Sequence, residues 1–142
     1  NLSRGLGDVY KRPALQRQGH KVGLLDADIY GPSAAIMTGT RDHQAQGDQQ
    51  NRVIPARRHD IAVISIAFLL PKDQSAVVWR GPMVGKMVEQ LLTSVAWGEL
   101  DYLIVDLPPG TGDAVLSLSQ TVPLSGAIVV TTPQDVALLD VL

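Results

Sequence analysis

Short apolar runs closed by turn residues recur along this chain, and helical periodicity fills the gaps between them. Lys21-Val22-Gly23-Leu24-Leu25 reads as a buried strand that ends in Asp26-Ala27-Asp28, with Gly31-Pro32 turning behind it. Ser33 to Met37 predicts a short helix, and the polar stretch Thr38 to Asn51 an exposed, mobile loop. Ile61 to Leu70 predicts a strand ended by Pro71, and Ala76 to Trp79 a shorter one. Gly81-Pro82 opens the clearest helix. Met83, Val84, Met87, Val88, Leu91, Leu92, Val95 and Ala96 share one face of it, Lys86, Glu89 and Gln90 lie opposite, and Gly98 stops it. A second buried strand, Tyr102 to Val105, ends on Asp106, and a helix is expected from about Asp113 to Gln120. Ser125 to Thr131 predicts a further buried strand, and Gln134 to Leu142 the start of a helix. Asp8 to Gln18 is helical in composition, but Pro13 sits in its middle, where it costs about 3 kcal/mol.

Strands alternating with helices predict an α/β domain built on a mostly parallel sheet. Two of its strands end in carboxylates, at Asp26 and Asp106, on the same edge. The carboxyl ends of strands are where open α/β sheets bind ligands. Magnesium commonly takes one or two carboxylates together with phosphate oxygens. Gly110 and Gly112, in Pro108-Pro109-Gly110-Thr111-Gly112, let the backbone approach a ligand closely. The pattern points to a nucleotide-hydrolysing fold. The plainer reading of Asp106, a buried carboxylate capping the next helix, stays open on these residues alone.

Composition narrows the alternatives. The chain has 142 residues, which suits one domain spanning 1–142. The formal net charge of −2 gives no basic field for nucleic acid, and no apolar run is long enough for a membrane span. The sequence contains no cysteine, which excludes disulfides and thiolate metal ligands within these residues. The expected location is the cytoplasm, or the mitochondrial matrix in a eukaryote.

The phosphate cradle is harder to find. A P-loop needs glycines followed by Gly-Lys-Ser/Thr between a strand and a helix. Gly81 to Met87 imitates it, but its glycine spacing is one residue short and Met87 has no hydroxyl. Arg4-Gly5-Leu6-Gly7-Asp8 lies where a cradle belongs, yet lacks the lysine and hydroxyl. His20, His43 and His59 show no metal-ligand spacing. Arg52, Arg57 and Arg58 read as solvated surface, and Trp79 and Trp97 as packing residues.

Four blocks carry a family resemblance. Leu24 to Ser33 resembles the switch I region of Mrp/ApbC-type ATPases, iron–sulfur cluster carriers of the deviant-Walker P-loop class related to MinD and ParA. Val78 to Met83 resembles a second family block, Asp101 to Asp113 its Walker B and switch II, and Thr131 to Asp140 a fourth. The resemblance covers about residues 17–142. It implies the three-layer, mostly parallel sheet of deviant-Walker P-loop NTPases, here incomplete. It implies that Asp106 binds magnesium through water, with Asp26 supporting that shell, and that Asp28 orients the attacking water. Gly110, Gly112 and Pro133 would bind nucleotide, with the Gly110 amide on the γ-phosphate. The implied cofactors are ATP and Mg2+, the implied partners a second copy in a homodimer, apo iron–sulfur proteins and cluster scaffolds. ATP hydrolysis would then be coupled to cluster transfer.

Two departures qualify that picture. The family's GKGGVGKS should fall around residues 1–6, where this chain has Asn1-Leu2-Ser3-Arg4-Gly5-Leu6, so residues 1–16 are atypical. The family's C-terminal CxxC, which bridges a cluster between subunits, does not occur in these residues. The expectation is a fragment or altered product of an Mrp-type gene with impaired nucleotide binding. Sequencing the encoding DNA in all frames is expected to reveal both motifs. The competing readings are a non-catalytic remnant or interaction module of the same fold, and a MinD/ParA-like positioning ATPase.

Overall fold

The computed structural model describes residue 15 and residues 17–28, 33–69, 81–108 and 112–130. Its elements are β1 (Val22–Asp26), α1 (Ser33–Met37), β2 (Gln46–Gly47), β3 (Val53–Ile54), β4 (Ala56–Arg58), β5 (Ile61–Ser65), a 3-10 turn (Ile66–Phe68), α2 (Gly81–Ser94), β6 (Tyr102–Asp106) and α3 (Gly112–Thr121). The main sheet has the order β4-β5-β1-β6. β1 lies parallel to both β5 and β6, and β4 is antiparallel at the edge. The parallel core expected from the sequence is therefore present.

Side-chain alternation along the strands builds two cores, one on each face. Leu25, Ala62 and Ile64 pack with Val84, Val88 and Leu91 of α2 and Leu118 of α3. Leu24, Ile61 and Val63 point the other way and pack with Ala34 of α1 and with Ala56. The sheet is thus a middle layer between α1 and the α2–α3 pair. β1 is buried along its whole length, which explains its unbroken apolar run.

Gly23 sits where β1 meets the turn before β6. A Cβ there would lie 2.6 Å from Leu100 Cδ1, 2.9 Å from Leu103 Cδ1 and 3.3 Å from Trp97 Cε3. Three neighbours would have to move at once. Gly23→Ala is expected to destabilise the fold by about 1–3 kcal/mol through overpacking, read as a lower midpoint in urea unfolding with unchanged slope.

The structure departs from the sequence reading in several places. The strand expected through Leu70 stops at Ser65, because the Ser65 side chain accepts the Ala67 N–H and turns the chain into the 3-10 segment. The stretch 38–51 is exposed over much of its length but carries an ordered hairpin strand, β2, paired antiparallel with β3. Its turn is organised by Asp48. One carboxylate oxygen accepts the Gln50 and Arg52 N–H groups, and the other accepts the Arg52 guanidinium. The strand expected over 125–131 is not formed at 126–130, where Ile128 and Val129 are 72% and 66% exposed. An apolar run becomes a strand only beside a ladder partner. Among the described residues β6 pairs with β1 alone. The expected strand at 76–79 and the expected terminal helices at 8–18 and 134–142 lie wholly or mostly outside the described residues. Among the described residues no helix is long and apolar enough to cross a membrane.

Candidate functional site

β1, β5 and β6 run in the same direction, so their carboxyl ends share one edge of the sheet. Their register sets three polar residues in a row: Asp26 lies opposite Ser65 of β5 on one side and opposite Asp106 of β6 on the other. The ladder continues one step further, with the Ala27 N–H donating to the Asp106 carbonyl at 2.8 Å. The helix after β1 packs on one face of the sheet, while those after β5 and β6 pack on the other. Diverging connections of this kind open a crevice beyond the strand ends, the usual ligand position of open α/β sheets.

Asp26 is fully buried. A buried carboxylate is tolerated when donors surround it. Here Oδ1 accepts the Asp28 N–H at 3.1 Å and Oδ2 accepts the Ser65 hydroxyl at 3.2 Å. The Ala34 N–H, in the first turn of α1, is a further donor. Burial nevertheless pushes the Asp26 carboxyl up from its ordinary 3.8 to about 6, because desolvation outweighs the hydrogen bonds and the Asp28 charge adds to it. Asp26 therefore ties together β1, β5, the 27–28 turn and the start of α1. The plain reading of a strand-end carboxylate as a helix cap, which the sequence left open for Asp106, describes a contact that Asp26 makes.

Asp28 and Asp106 are half-buried at the same edge. Gly112 is the first residue of α3. Gly110, Pro133 and the positions of the expected cradle lie outside the described residues. Asp26 and Asp106 offer oxygen ligands of the kind magnesium prefers, on adjacent strands. Three donors already engage the Asp26 carboxylate, so its fit to a metal is that of a supporting group. Among the described residues no group of three or more His, Asp or Glu could enclose a metal ion. With no cysteine in the chain, no thiolate here could hold an iron–sulfur cluster.

The decoys resolve simply. Gly85 and Lys86 lie within α2, not in a loop, so Gly81 to Met87 cannot cradle phosphate as a P-loop does. Arg52 is paired with Asp48, and Arg57 and Arg58 are exposed on β4. Trp97 is a packing residue whose Nε1–H donates to the Leu91 carbonyl. Ser65 was invisible as a site residue in the sequence. Its only signal was a hydroxyl inside an otherwise apolar run.

The family model for ParA, described as NUBPL iron-transfer P-loop NTPase, matches residues 12–142. Iron-sulfur cluster carrier proteins are close in sequence. That of Aquifex aeolicus is 51% identical over 128 residues, covering 90% of this chain and 35% of its own. That of Deinococcus radiodurans is 55% identical, with 89% and 36% covered, and that of Escherichia coli is 49% identical, with 98% and 39% covered. The chain thus spans well under half the length of these relatives. A nucleotide-binding protein from Archaeoglobus fulgidus, solved in complex with ADP and with cobalt found in it, superposes with a TM-score of 0.71 at 35% identity. That match covers 97% of this chain and 52% of the other.

Proposed function

The chain belongs to the ParA family of NUBPL iron-transfer P-loop NTPases, and from that premise we propose that it is the nucleotide-switch portion of an iron–sulfur cluster carrier. The observation that carries this reading is the register that sets Asp26 beside Asp106 at the carboxyl edge of a parallel sheet. The carrier role is supported by relatives that bear that name, and nucleotide binding by the ADP-bound relative.

In this reading Asp106 would hold Mg2+, and Asp26 would support that site by fixing the strand ends. Bound Mg2+ would neutralise phosphate charge. Asp28 orients the attacking water and keeps it in line with the γ-phosphate. The Gly110 amide contacts that phosphate, with Gly112 and Pro133 among the other nucleotide-binding positions. Catalysis is mainly positioning and electrostatics, as in phosphoryl transfer generally. Loss of the γ-phosphate releases the switch segments, and in a homodimer this changes the subunit geometry that governs cluster delivery from scaffold to apo-protein. The cluster is cargo, and its thiolate ligands come from outside these 142 residues. The missing Gly-Lys-Ser/Thr cradle makes this polypeptide a weak nucleotide binder and a slow hydrolase.

The test is phosphate release at millimolar MgATP by the chain and by Asp28→Asn. The expected result is slow turnover whose kcat/KM falls about a hundredfold in the variant. No turnover by the parent chain, or equal rates for the two, would sink the hydrolytic reading.

A further inference from the structure

Asp28 has a geometric task in this reading, and it lies two residues beyond the end of β1, outside the strand. What holds it there is visible in the hydrogen bonds. The Asp28 N–H is held by Asp26 Oδ1 at 3.1 Å. Asp26 Oδ2 is in turn held by the Ser65 hydroxyl at 3.2 Å. Asp26 and Ser65 are both fully buried, so neither bond is shared with bulk water. The same Ser65 oxygen accepts the Ala67 N–H at 3.2 Å, which fixes the hydroxyl oxygen from behind. Ser65 is also opposite Asp26 in the β1–β5 register, so its own backbone is set by the ladder.

We propose that Ser65 is a positioning residue for the site: it locks the Asp26 carboxylate in one orientation, and through it the turn that carries Asp28. This rests on the assignment of Asp28 to the attacking water. A serine suits the task because its hydroxyl can donate forward to the carboxylate while accepting from the 3-10 turn behind. Alanine supplies neither contact. Threonine keeps the hydroxyl and adds only a methyl. With the lock removed, Asp26 has one donor fewer and freedom to swing, and the Asp28 amide loses a fixed acceptor.

The test is amide hydrogen exchange by NMR on the full chain without nucleotide, comparing the parent with Ser65→Ala, Ser65→Cys and Ser65→Thr. Ser65→Ala is expected to speed exchange at Asp28 and Ala67 by about tenfold, while Leu24 and Val63 keep their protection. Ser65→Thr is expected to restore Asp28. If Ser65→Ala does not fold, Ser65→Cys, close in size and a weak donor, is read by the same criterion. Unchanged exchange at Asp28 with faster exchange at Ala67 would reduce Ser65 to a cap of the 3-10 turn and overturn the proposal. An equal rise at Leu24 and Val63 would overturn it too, since that is general loss of stability. A second arm measures phosphate release, where Ser65→Ala is expected to lower kcat with little change in KM. A parent chain that releases no phosphate defeats the hydrolytic reading alone, because the exchange result stands without nucleotide.

Discussion

Raising the pH from about 3 to 7 is expected to lower the stability of this protein by about 3 kcal/mol through Asp26 alone, and Asp26→Asn is expected to abolish that fall. The folded protein holds the Asp26 proton up to about pH 6, while the unfolded chain releases it near its ordinary 3.8. Between those values the folded state binds more protons, so stability decreases as pH rises. The contribution is fully present below the lower value and lost as pH passes the upper one. At about 1.36 kcal/mol for each pH unit between them, the loss is about 3 kcal/mol. Asparagine cannot titrate but keeps an acceptor oxygen for the Asp28 N–H. Asp26→Ala orphans the Asp28, Ala34 and Ser65 donors and should cost about 3–5 kcal/mol at pH 4–5. That deficit should shrink toward neutral pH, where the parent carries a buried charge. Urea unfolding of the three proteins across this range measures both effects. Asp48, held below the usual carboxylate range by Arg52, acts in the opposite direction at lower pH and cancels in the comparison. Parallel stability curves for parent and Asp26→Asn would contradict the account.

Such a residue is legible in part from sequence. The apolar run before Asp26 and the one before Asp106 announced two parallel strands with carboxylates at one edge; β1 is buried on both faces, as its unbroken apolar run predicts, whereas β6 is only half-buried, with Tyr102 exposed, because among the described residues it pairs on one side alone. The α2 face was legible for the most part, since Val84, Val88 and Leu91 follow the helical period and are buried, as is Val95 just past the helix end, whereas Met83, expected on the same face, is exposed. Ser65 was not legible. Its role depends on strand register across 39 residues of sequence, and nothing local distinguishes it from any serine at a strand end. The Asp48 turn was missed because polar side chains folding back on their own backbone leave no apolar signature. Ile128 to Val130 misled in the other direction: their composition predicts a strand, but composition does not supply a ladder partner.

The second large effect concerns nucleotide. The 142 residues contain carboxylates suited to magnesium and a switch-like turn but no Gly-Lys-Ser/Thr. In a P-loop, successive backbone N–H groups and a lysine offset the phosphate charge. Strand-end carboxylates cannot substitute, since without bound magnesium they repel phosphate. Removing the cradle therefore takes away the main favourable contacts and leaves the unfavourable ones. MgATP is expected to bind with Kd near millimolar, about a thousandfold or about 4 kcal/mol weaker than a micromolar site. Calorimetric titration should show correspondingly small heats. Submicromolar affinity would mean that residues outside the recognised motif build a competent cradle.

In the proposed function, nucleotide is met at the carboxyl edge of β1 and β6. A 15.2 kDa chain permits amide-resolved NMR, and a titration to several millimolar MgATP tolerates weak binding. Shifts are expected to concentrate at Asp26–Asp28 and at Asp106–Pro108, to grow with magnesium present, and to weaken in Asp106→Asn. Shifts centred on Gly85 and Lys86 of α2, or none at either strand end, would contradict it.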